Sequence, residues 1–400
     1  MDTGRGERRY DCMTPAGRHY GLDWLRIAAF AMLIPYHVAL AFSPWHWIVS
    51  SGHAYPALVA PMAALTPWRL GLLFAVSGYA GATLFARAGD AAAFAGDRSR
   101  RLLIPLAFGM VAVVPIEMWV RVREAGYARD YFHFWLFDAW TSGTHWGVEF
   151  PSWEHLWFLV YLWAYTMIVA GMVAWRRGLA WLDRAAAWLA ISRRLLWAPM
   201  AVMVAARLAL LFVIPERQGL FRDWAGHSQF LTLFLLGFLI ARHPPLWRAL
   251  HRFWRPAALL AMLGGAVTIG VEVAYPGSAM PPHALMAASR AGRSVMAWGM
   301  VVTLFHLADA HANRDHRWRR ALGQAVFPAY IVHHPAIVLA TWCTLPLALA
   351  PAAQAAVILT ATIATCGATV ALARLVPAFG MLVGVAPRAA RRGGIAPAIC

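Results

Sequence analysis

The chain has 400 residues, of which 61% are hydrophobic and only 13% are charged. This composition excludes a soluble globular domain and indicates a protein that crosses the membrane several times. All 35 basic residues are arginine and the formal net charge is +17. Because the arginines are concentrated in alternate loops, a positive-inside bias explains them better than a surface for nucleic acid. The four cysteines have neither disulfide nor metal-ligand spacing, so no metal is expected.

Ten stretches are long and apolar enough to cross a bilayer as helices. We therefore predict an all-α, polytopic integral membrane protein with about ten transmembrane helices. The predicted spans are residues 22–42, 67–86, 102–120, 154–175, 195–214, 227–241, 257–275, 293–310, 322–345 and 352–374.

The arginine content of the loops predicts the orientation of these spans. The 43–66 loop contains no arginine, whereas the 87–101 loop contains Arg87, Arg98, Arg100 and Arg101. Continued alternation along the chain predicts that both termini are cytoplasmic.

The same alternation predicts three segments along the chain. They are a basic tail over residues 1–21, one membrane domain over 22–386 and a second basic tail over 387–400. Residues 1–21 contain no apolar core of a secretory signal, so the first helix is expected to remain as a span. Residues 376–386 are apolar but too short to span, so they are expected to lie in the interface or to extend the last helix.

The first span carries three ionisable residues, Asp23, Arg26 and His37. Such residues usually face a protein interior or a water-filled cavity. Arg26 and His37 are eleven residues apart, which is nearly three helical turns, so both lie on one face about 16 Å apart. Asp23 falls close to the same stripe. The pattern predicts a polar lane through the membrane in which His37 activates a hydroxyl group; the alternative is a histidine bound by a neighbouring carbonyl group.

Arg98 and Arg101 precede the third span, three residues apart. The pair has two interpretations. It is either a charge cluster that sets topology or a site that binds phosphate groups through its guanidinium groups.

Histidines also occur in the fourth and ninth spans. His155, close to Trp157, is predicted at the depth of His37. His333 and His334 are adjacent in the chain. Because neighbouring helical residues point about 100° apart, at most one of the two is expected to join the face of His37. Their spacing is also wrong for metal ligands on one helix face.

Arg207 lies in the middle of the fifth span, where a buried arginine needs a partner. Glu117 and Glu272, near helix ends, are the two candidates. Ser77-Gly78-Tyr79 interrupts the second span and indicates close helix packing through a small residue. Tryptophans of the 43–66 and 121–153 loops form either an interfacial belt or platforms on which sugars stack.

Taken together, these motifs resemble the acyltransferase-3 superfamily of bacterial integral-membrane acyltransferases, and most closely its glucan-modifying branch. The matching segments are LDWLR at 22–26, IPYHVAL at 34–40, SGY at 77–79, the Arg98 and Arg101 pair, HLWFL at 155–159 and YIVHHP at 330–335. The Arg-x10-His motif of the family falls on Arg26 and His37. Val160 and Tyr161 stand where many members carry a glutamate, so no catalytic carboxylate is assigned there.

By this resemblance, the protein is expected to be an O-acyltransferase in the bacterial inner membrane. The implied donor is acetyl-CoA or succinyl-CoA from the cytoplasm, bound through Arg98 and Arg101. The implied acceptor is a hydroxyl group of a periplasmic or cell-envelope glycan. His37 would act as general base or acyl carrier, assisted by Arg26 and Asp23. The residues expected to orient His37 or to bind substrate are His155, Trp157, His333, His334 and Arg207.

Two other classes of function remain open at this point. The polar residues within helices also fit an exporter of a glycan or acylated metabolite, although no inverted repeat or matching pair of broken helices is visible. A non-catalytic membrane subunit would use the same histidines for packing only.

Overall fold

A computed structural model of the protein describes residues 19–214 and 218–385. Nearly all regular structure in these ranges is helical, which confirms the predicted all-α class. The helices are α1 Tyr20–Ala31, α2 Leu33–Ala41, α3 Val59–Ala88, α4 Ala91–Ala112, α5 Val114–Glu124, α6 Tyr131–His133, α7 Trp157–Ala174, α8 Arg176–Leu189, α9 Arg194–Leu210, α10 Trp224–Arg242, α11 Pro244–Ala274, α12 His283–Ala312, α13 Arg317–Thr344, α14 Pro351–Leu375 and α15 Pro377–Leu382.

Within the described ranges, nine helical stretches are long and apolar enough to cross a membrane. A tenth crossing exists only if α8 and α9, which meet at an angle of 115°, are counted as one broken span. The predicted span at 195–214 is therefore too long, because α9 ends at Leu210. The segment after α14 does not extend that helix but forms the separate α15, which packs against α14 and α4. The predicted basic tails fall mostly outside the described residues, and the orientation of the chain stays a prediction.

Prolines set the breaks in two of these spans. Pro35 has no N–H group to continue the hydrogen-bond ladder of the first span, and the helix is interrupted at Met32. Pro115 does the same between α4 and α5. The carbonyl group of Val111, four residues earlier, accepts a hydrogen bond from the Trp135 indole at 2.8 Å instead. Both breaks lie in the spans that supply candidate site residues.

Close helix packing occurs where the sequence predicts it, at Gly78. A Cβ atom on Gly78 would lie 1.9 Å from the Phe234 carbonyl oxygen, and one on Gly237 would lie 1.8 Å from that of Ala75. Glycine at both positions therefore lets α3 and α10 touch through their backbones. The core around this crossing is aromatic and includes the fully buried Phe74.

Helix α13 occupies the central position for the site because it packs against α1, α2 and α5. The same helix also pairs along its length with α14. The 125–153 segment contains the only strands in the described part of the chain, a two-stranded antiparallel hairpin that we did not predict. Its strands are β1 Gly143–His145 and β2 Val148–Phe150, with Gly143 opposite Phe150.

Candidate active site

Four histidines from three separate segments meet inside the helix bundle. The ring of His37 on α2 lies 5.3 Å from that of His333 and 4.9 Å from that of His334, measured between ring centroids. The His155 ring stacks on His334 at 5.0 Å. The expectation that only one residue of the pair would reach His37 is wrong. His37 lies between the two directions in which His333 and His334 point, so its ring contacts both.

A carboxylate group links two of these rings. Glu117 on α5 is completely buried and lies 2.9 Å from Nδ1 of His155 through one oxygen. Its other oxygen accepts a hydrogen bond from Nδ1 of His334. Glu117 is thus fully used within the histidine cluster and is not a partner of Arg207, as we had considered.

Pro335 explains how His155 is held against α13. Because proline lacks an N–H group, the carbonyl group of Ile331, four residues earlier, has no partner within the helix. Nε2 of His155 donates to that carbonyl at 2.9 Å. In return the Tyr330 hydroxyl donates to the backbone carbonyl of His155 at 2.5 Å. The HLW and YIVHHP segments of the sequence are joined by these two bonds.

These bonds require an extra proton in the cluster. Nε2 of His155 must carry a hydrogen, since its partner Ile331 is a carbonyl oxygen. Nδ1 of His155 faces a carboxylate oxygen of Glu117, so a second proton must lie between those two groups. The His155–Glu117 pair therefore holds one proton more than a neutral imidazole and a carboxylate.

Two buried ring nitrogens of the cluster have no hydrogen-bond partner among the described residues. Nδ1 of His333 bonds the Tyr330 carbonyl group at 2.6 Å, which leaves Nε2 with a lone pair. That Nε2 is buried and has no hydrogen-bond partner among the described residues, and the same holds for Nδ1 of His37. Buried ring nitrogens are normally bonded, so an open pair indicates a place for a ligand or a reaction.

The cluster forms one wall of a large cavity with a volume of about 620 Å³. Indole rings of Trp47, Trp146 and Trp157 line the same cavity. At its edge Arg121 donates to Glu154 at 2.8 Å. A space of this size admits a sugar-sized molecule between the aromatic rings and the histidines.

A second, narrower cavity of about 150 Å³ reaches one of the histidines, His333. It runs between α1 and α13, from Ile27 and Leu322 to Tyr330 and His333, and its lining is mostly apolar. Tyr330, His333 and Leu33 line both cavities. The two spaces therefore adjoin along these three residues, and His37 itself lines the large one.

Arg69 also lines the large cavity, and our reading of the sequence missed it. It lies on α3, which begins at Val59 rather than at residue 67 as we expected, so Arg69 is well inside the span. The side chain is 4% exposed, and its guanidinium carbon sits 3.5 Å above the Tyr36 ring centroid. A single arginine inside an otherwise apolar stretch was the signal that could have identified it.

The predicted arginine pair lies near the start of the lane. Arg98 is close enough to both Arg26 and Arg101 for their positive charges to act on it. Its Nε atom is buried with no hydrogen-bond partner in the part of the chain that the structure describes. Arg101 is exposed and binds Asp97 at 3.0 Å. Arg26 itself donates to the Gly323 carbonyl group at 3.4 Å, next to the narrow cavity.

Two predicted site residues are not brought to the histidines. Asp23 binds the buried Arg319 at 2.6 Å, and it precedes His37 by fourteen residues, which is about 20 Å of helix. Arg207 donates to Gln229 at 3.2 Å, and Gln229 in turn donates to the Pro67 carbonyl group. Both contacts tie helices together, away from the cavities.

The remaining carboxylate that we had considered for Arg207 is also occupied elsewhere, because Glu272 binds Arg293 at 2.7 Å. Trp157, predicted to bind substrate, is mostly buried against Tyr161 and Phe230 and presents only part of its ring to the cavity.

Glu117, His155 and His334 are close enough together to chelate a cation, with ligand atoms within 4.8 Å of one another. Their hydrogen bonds already use both oxygens of Glu117 and both nitrogens of His155. This donor set is explained by a hydrogen-bonded network, and the absence of a metal stays a prediction.

Fold and site together define a polytopic membrane protein with a buried histidine centre between two cavities. The family model described as "Acyltransferase domain" matches residues 19–373, and the chain belongs to this acyltransferase-3 family. This membership confirms the family resemblance that the sequence motifs had indicated.

Curated relatives include proteins named "Glucans biosynthesis protein C" from Salmonella paratyphi B, Salmonella heidelberg and Salmonella enteritidis. Each is 26% identical over 270 residues, which is 65% of this chain and 65% of the relative. No solved structure matches the chain.

Proposed function

We propose that the protein transfers an acetyl or succinyl group from acyl-CoA to a hydroxyl group of a periplasmic or cell-envelope glycan, across the bacterial inner membrane. One observation carries this proposal: two cavities of different size and lining share His333 as a wall residue, and His333 packs against His37, whose buried Nδ1 has no partner in the described residues. Two substrates can therefore approach the histidine cluster through separate spaces. The names of the relatives support a glucan as the acceptor.

The narrow cavity suits the donor. A pantetheine arm is thin and has long apolar sections, and this cavity is thin and apolar from Ile27 to His333. The phosphate groups of coenzyme A need cations, and Arg26, Arg98 and Arg101 lie close together at the start of the route. The positive-inside pattern of the loops assigns this end to the cytoplasm.

The large cavity suits a glycan. Aromatic rings pack well against the apolar face of a pyranose, and three indoles line this space. The paired charges of Arg121 and Glu154 at its edge offer polar groups for sugar hydroxyls.

His37 acts as the general base. The acceptor O–H gives its proton to His37 while the oxygen forms a bond to the thioester carbonyl carbon. The C–S bond then breaks, and the proton passes from His37 to the departing sulfur. Because both cavities border the histidine cluster that contains His37, donor and acceptor can be bound there together, which favours direct transfer over an acyl-histidine intermediate.

The test uses purified protein in proteoliposomes, supplied with acetyl-CoA or succinyl-CoA on one side and an oligoglucan on the other. His37→Ala should lower acyl transfer by about 10² to 10⁴-fold, the usual contribution of a general base. A matched control is His227→Ala, a membrane-helix histidine bonded to Tyr165 and the Leu220 carbonyl group. That variant should keep transfer near the wild-type rate.

Each other outcome has a clear meaning. Normal transfer by His37→Ala contradicts the role of His37. Movement of glucan across the membrane with no acyl transfer by the wild type supports an exporter instead. Intact-protein mass spectrometry with donor alone should show no added acyl mass; a stable acyl adduct would replace direct transfer by a covalent mechanism.

A further inference from the structure

Arg69 is a buried cation with no matching anion in its surroundings. Two arginines among the described residues line the large cavity, and Arg121 is paired with Glu154. The Nε and Nη1 atoms of Arg69 are buried and have no hydrogen-bond partner in residues 19–214 or 218–385. Burial of an unpaired charge is costly, so such a group persists where an anion binds or forms.

The position of Arg69 is fixed relative to His37. The Thr66 hydroxyl donates to the Met62 carbonyl group at 2.7 Å and therefore accepts from the Tyr36 hydroxyl at 2.8 Å. This bond holds the Tyr36 ring in place. Arg69 lies over that ring at 3.5 Å, and the ring of His37 packs nearly at right angles to the same ring, with 5.6 Å between the centroids. Tyr36 thus contacts both the buried cation and the proposed base.

The reaction places negative charge in this region only for a moment. When the acceptor oxygen attacks the thioester carbon, the carbonyl electrons move to the carbonyl oxygen and create an oxyanion. When the C–S bond breaks, those electrons re-form the carbonyl group and the sulfur leaves with the electron pair. A donor that is fixed beforehand and has no anionic partner stabilises this charge most when it is largest.

We propose that Arg69 is a catalytic residue that stabilises the oxyanion of the tetrahedral intermediate through its free N–H groups, opposite His37. This assignment rests on the proposed function, since it needs acyl transfer at His37. It explains why a guanidinium group is kept within the span without a carboxylate partner. The two residues then have separate roles: His37 accepts the proton of the acceptor hydroxyl group, and Arg69 stabilises the negative charge of the oxyanion.

The test compares Arg69→Gln and Arg69→Lys with the wild type, using acetyl-CoA and succinyl-CoA in parallel. Arg69→Gln should lower kcat by about 10² to 10³-fold, as loss of one oxyanion donor does elsewhere, with KM for the donor nearly unchanged. Arg69→Lys should fall in between, because a lysine keeps the charge but not the planar set of donors. Both acyl groups should be affected equally.

The control and a rescue experiment separate chemistry from folding. Arg293→Gln removes another partly buried membrane-helix arginine, which binds Glu272 outside the cavity, and it should keep kcat. In Arg69→Ala, added guanidinium ion should restore part of kcat, which a purely structural role would not allow. If Arg69→Gln does not fold, the lysine variant and the rescue carry the test.

Three results would overturn the assignment. They are a rise in KM with unchanged kcat, a loss confined to succinyl-CoA, which would make Arg69 a site for the acyl carboxylate, and unchanged activity. In each case the wild type still transfers acyl groups, so the proposed function survives. A wild type with no transfer at all is the separate failure of the proposed function.

Discussion

Within residues 19–214 and 218–385, two clusters of histidines each share one carboxylate group, and they lie near opposite ends of the first span. In the cluster beside the large cavity, Glu117 bonds His155 and His334. Near the beginning of α1, Asp309 bonds His19 at 2.7 Å and Nε2 of His251 at 3.1 Å. By composition alone the two clusters look alike.

Their remaining polar atoms differ. Asp309 also accepts hydrogen bonds from the Trp247 indole and the Asn313 amide, at 3.3 and 3.0 Å. The second nitrogen of His251 bonds His306 at 2.7 Å. In the other cluster, by contrast, His37 and His333 each keep one buried nitrogen without a partner in the described residues.

Under the proposed function, this difference separates a structural cluster from a reactive one. Polar groups that are fully hydrogen-bonded inside a bundle fix the helices in register and stabilise the folded state. Open groups next to a cavity do not contribute in this way and are available to a substrate. On this proposal, a shared carboxylate group alone does not mark a catalytic cluster, whereas buried ring nitrogens without a partner beside a cavity do.

The largest expected difference between the two clusters is the change in kcat when the shared carboxylate group of each is replaced by an amide. Glu117→Gln keeps the shape but cannot accept hydrogen bonds from both His155 and His334, so His334 loses its fixed position beside His37. We expect kcat for acyl transfer to fall by about 10²-fold, the low end of a general acid–base contribution. Steady-state kinetics of the variant and the wild type in proteoliposomes measure this fall in kcat.

Asp309→Asn is the matched change in the other cluster. It should leave kcat within about threefold and lower the unfolding temperature, by roughly 2 to 4 °C for each kcal/mol lost. If Asp309→Asn slows transfer as much as Glu117→Gln does, open nitrogens do not distinguish the clusters and both belong to the reaction.

Much of the reactive cluster was readable from the sequence. Helical rise and loop charge put His37 and His155 at similar depth, and their rings are now in one cluster with His333 and His334. The depth of a residue in the membrane follows from its distance along the chain from the ends of its span, and the sequence gives that distance directly. Glu117 was assigned to the wrong kind of partner, because its contacts lie 38 and 217 residues away along the chain. No spacing rule predicts which helix packs on which.

The prediction of a polar lane through the first span is only partly correct, for the same reason. Arg26 and His37 are on one span, but Asp23 is held by Arg319, which approaches from α13. Pro335 shows a signal that was present and not used. A proline within a helix always frees a carbonyl group four residues earlier, and here that group, on Ile331, binds His155.

A smaller effect tests whether the narrow cavity joins the two ends of the first span. Ala325 lines this cavity, and Ala325→Val, Ala325→Leu and Ala325→Phe should fill it in steps. We expect kcat/KM for acyl-CoA to fall in the same order, by about tenfold for phenylalanine, because a misplaced thioester reacts poorly. Initial rates at low donor concentration measure this.

Gln324→Leu is the control for this series, because Gln324 is on the same turn of α13 but exposed. It should behave as the wild type. Equal rates across the three Ala325 variants would mean that the donor reaches His37 by another route, and the His19 end of the span would then have no part in the reaction.

The smallest effect is expected at Arg98. It tests whether the end of the first span near Asp309 contributes to binding of the acyl-CoA donor. Arg98→Gln removes one cation near Arg26, where the proposed route of the donor begins. One charge-assisted hydrogen bond to a phosphate is worth about 1.4 kcal/mol, so KM for acyl-CoA should rise by about tenfold or less, with kcat unchanged.

Two comparisons make this result specific to phosphate binding. Arg100→Gln, an exposed arginine of the same helix, should leave KM unchanged. A donor without its 3′-phosphate should lose the difference between wild type and Arg98→Gln if that phosphate is the partner. A fall in kcat without a rise in KM would instead move Arg98 from donor binding to the folded framework. Arg98 would then have a structural role, like the Asp309 cluster. Only the end of the polar lane at His37 would contact substrate.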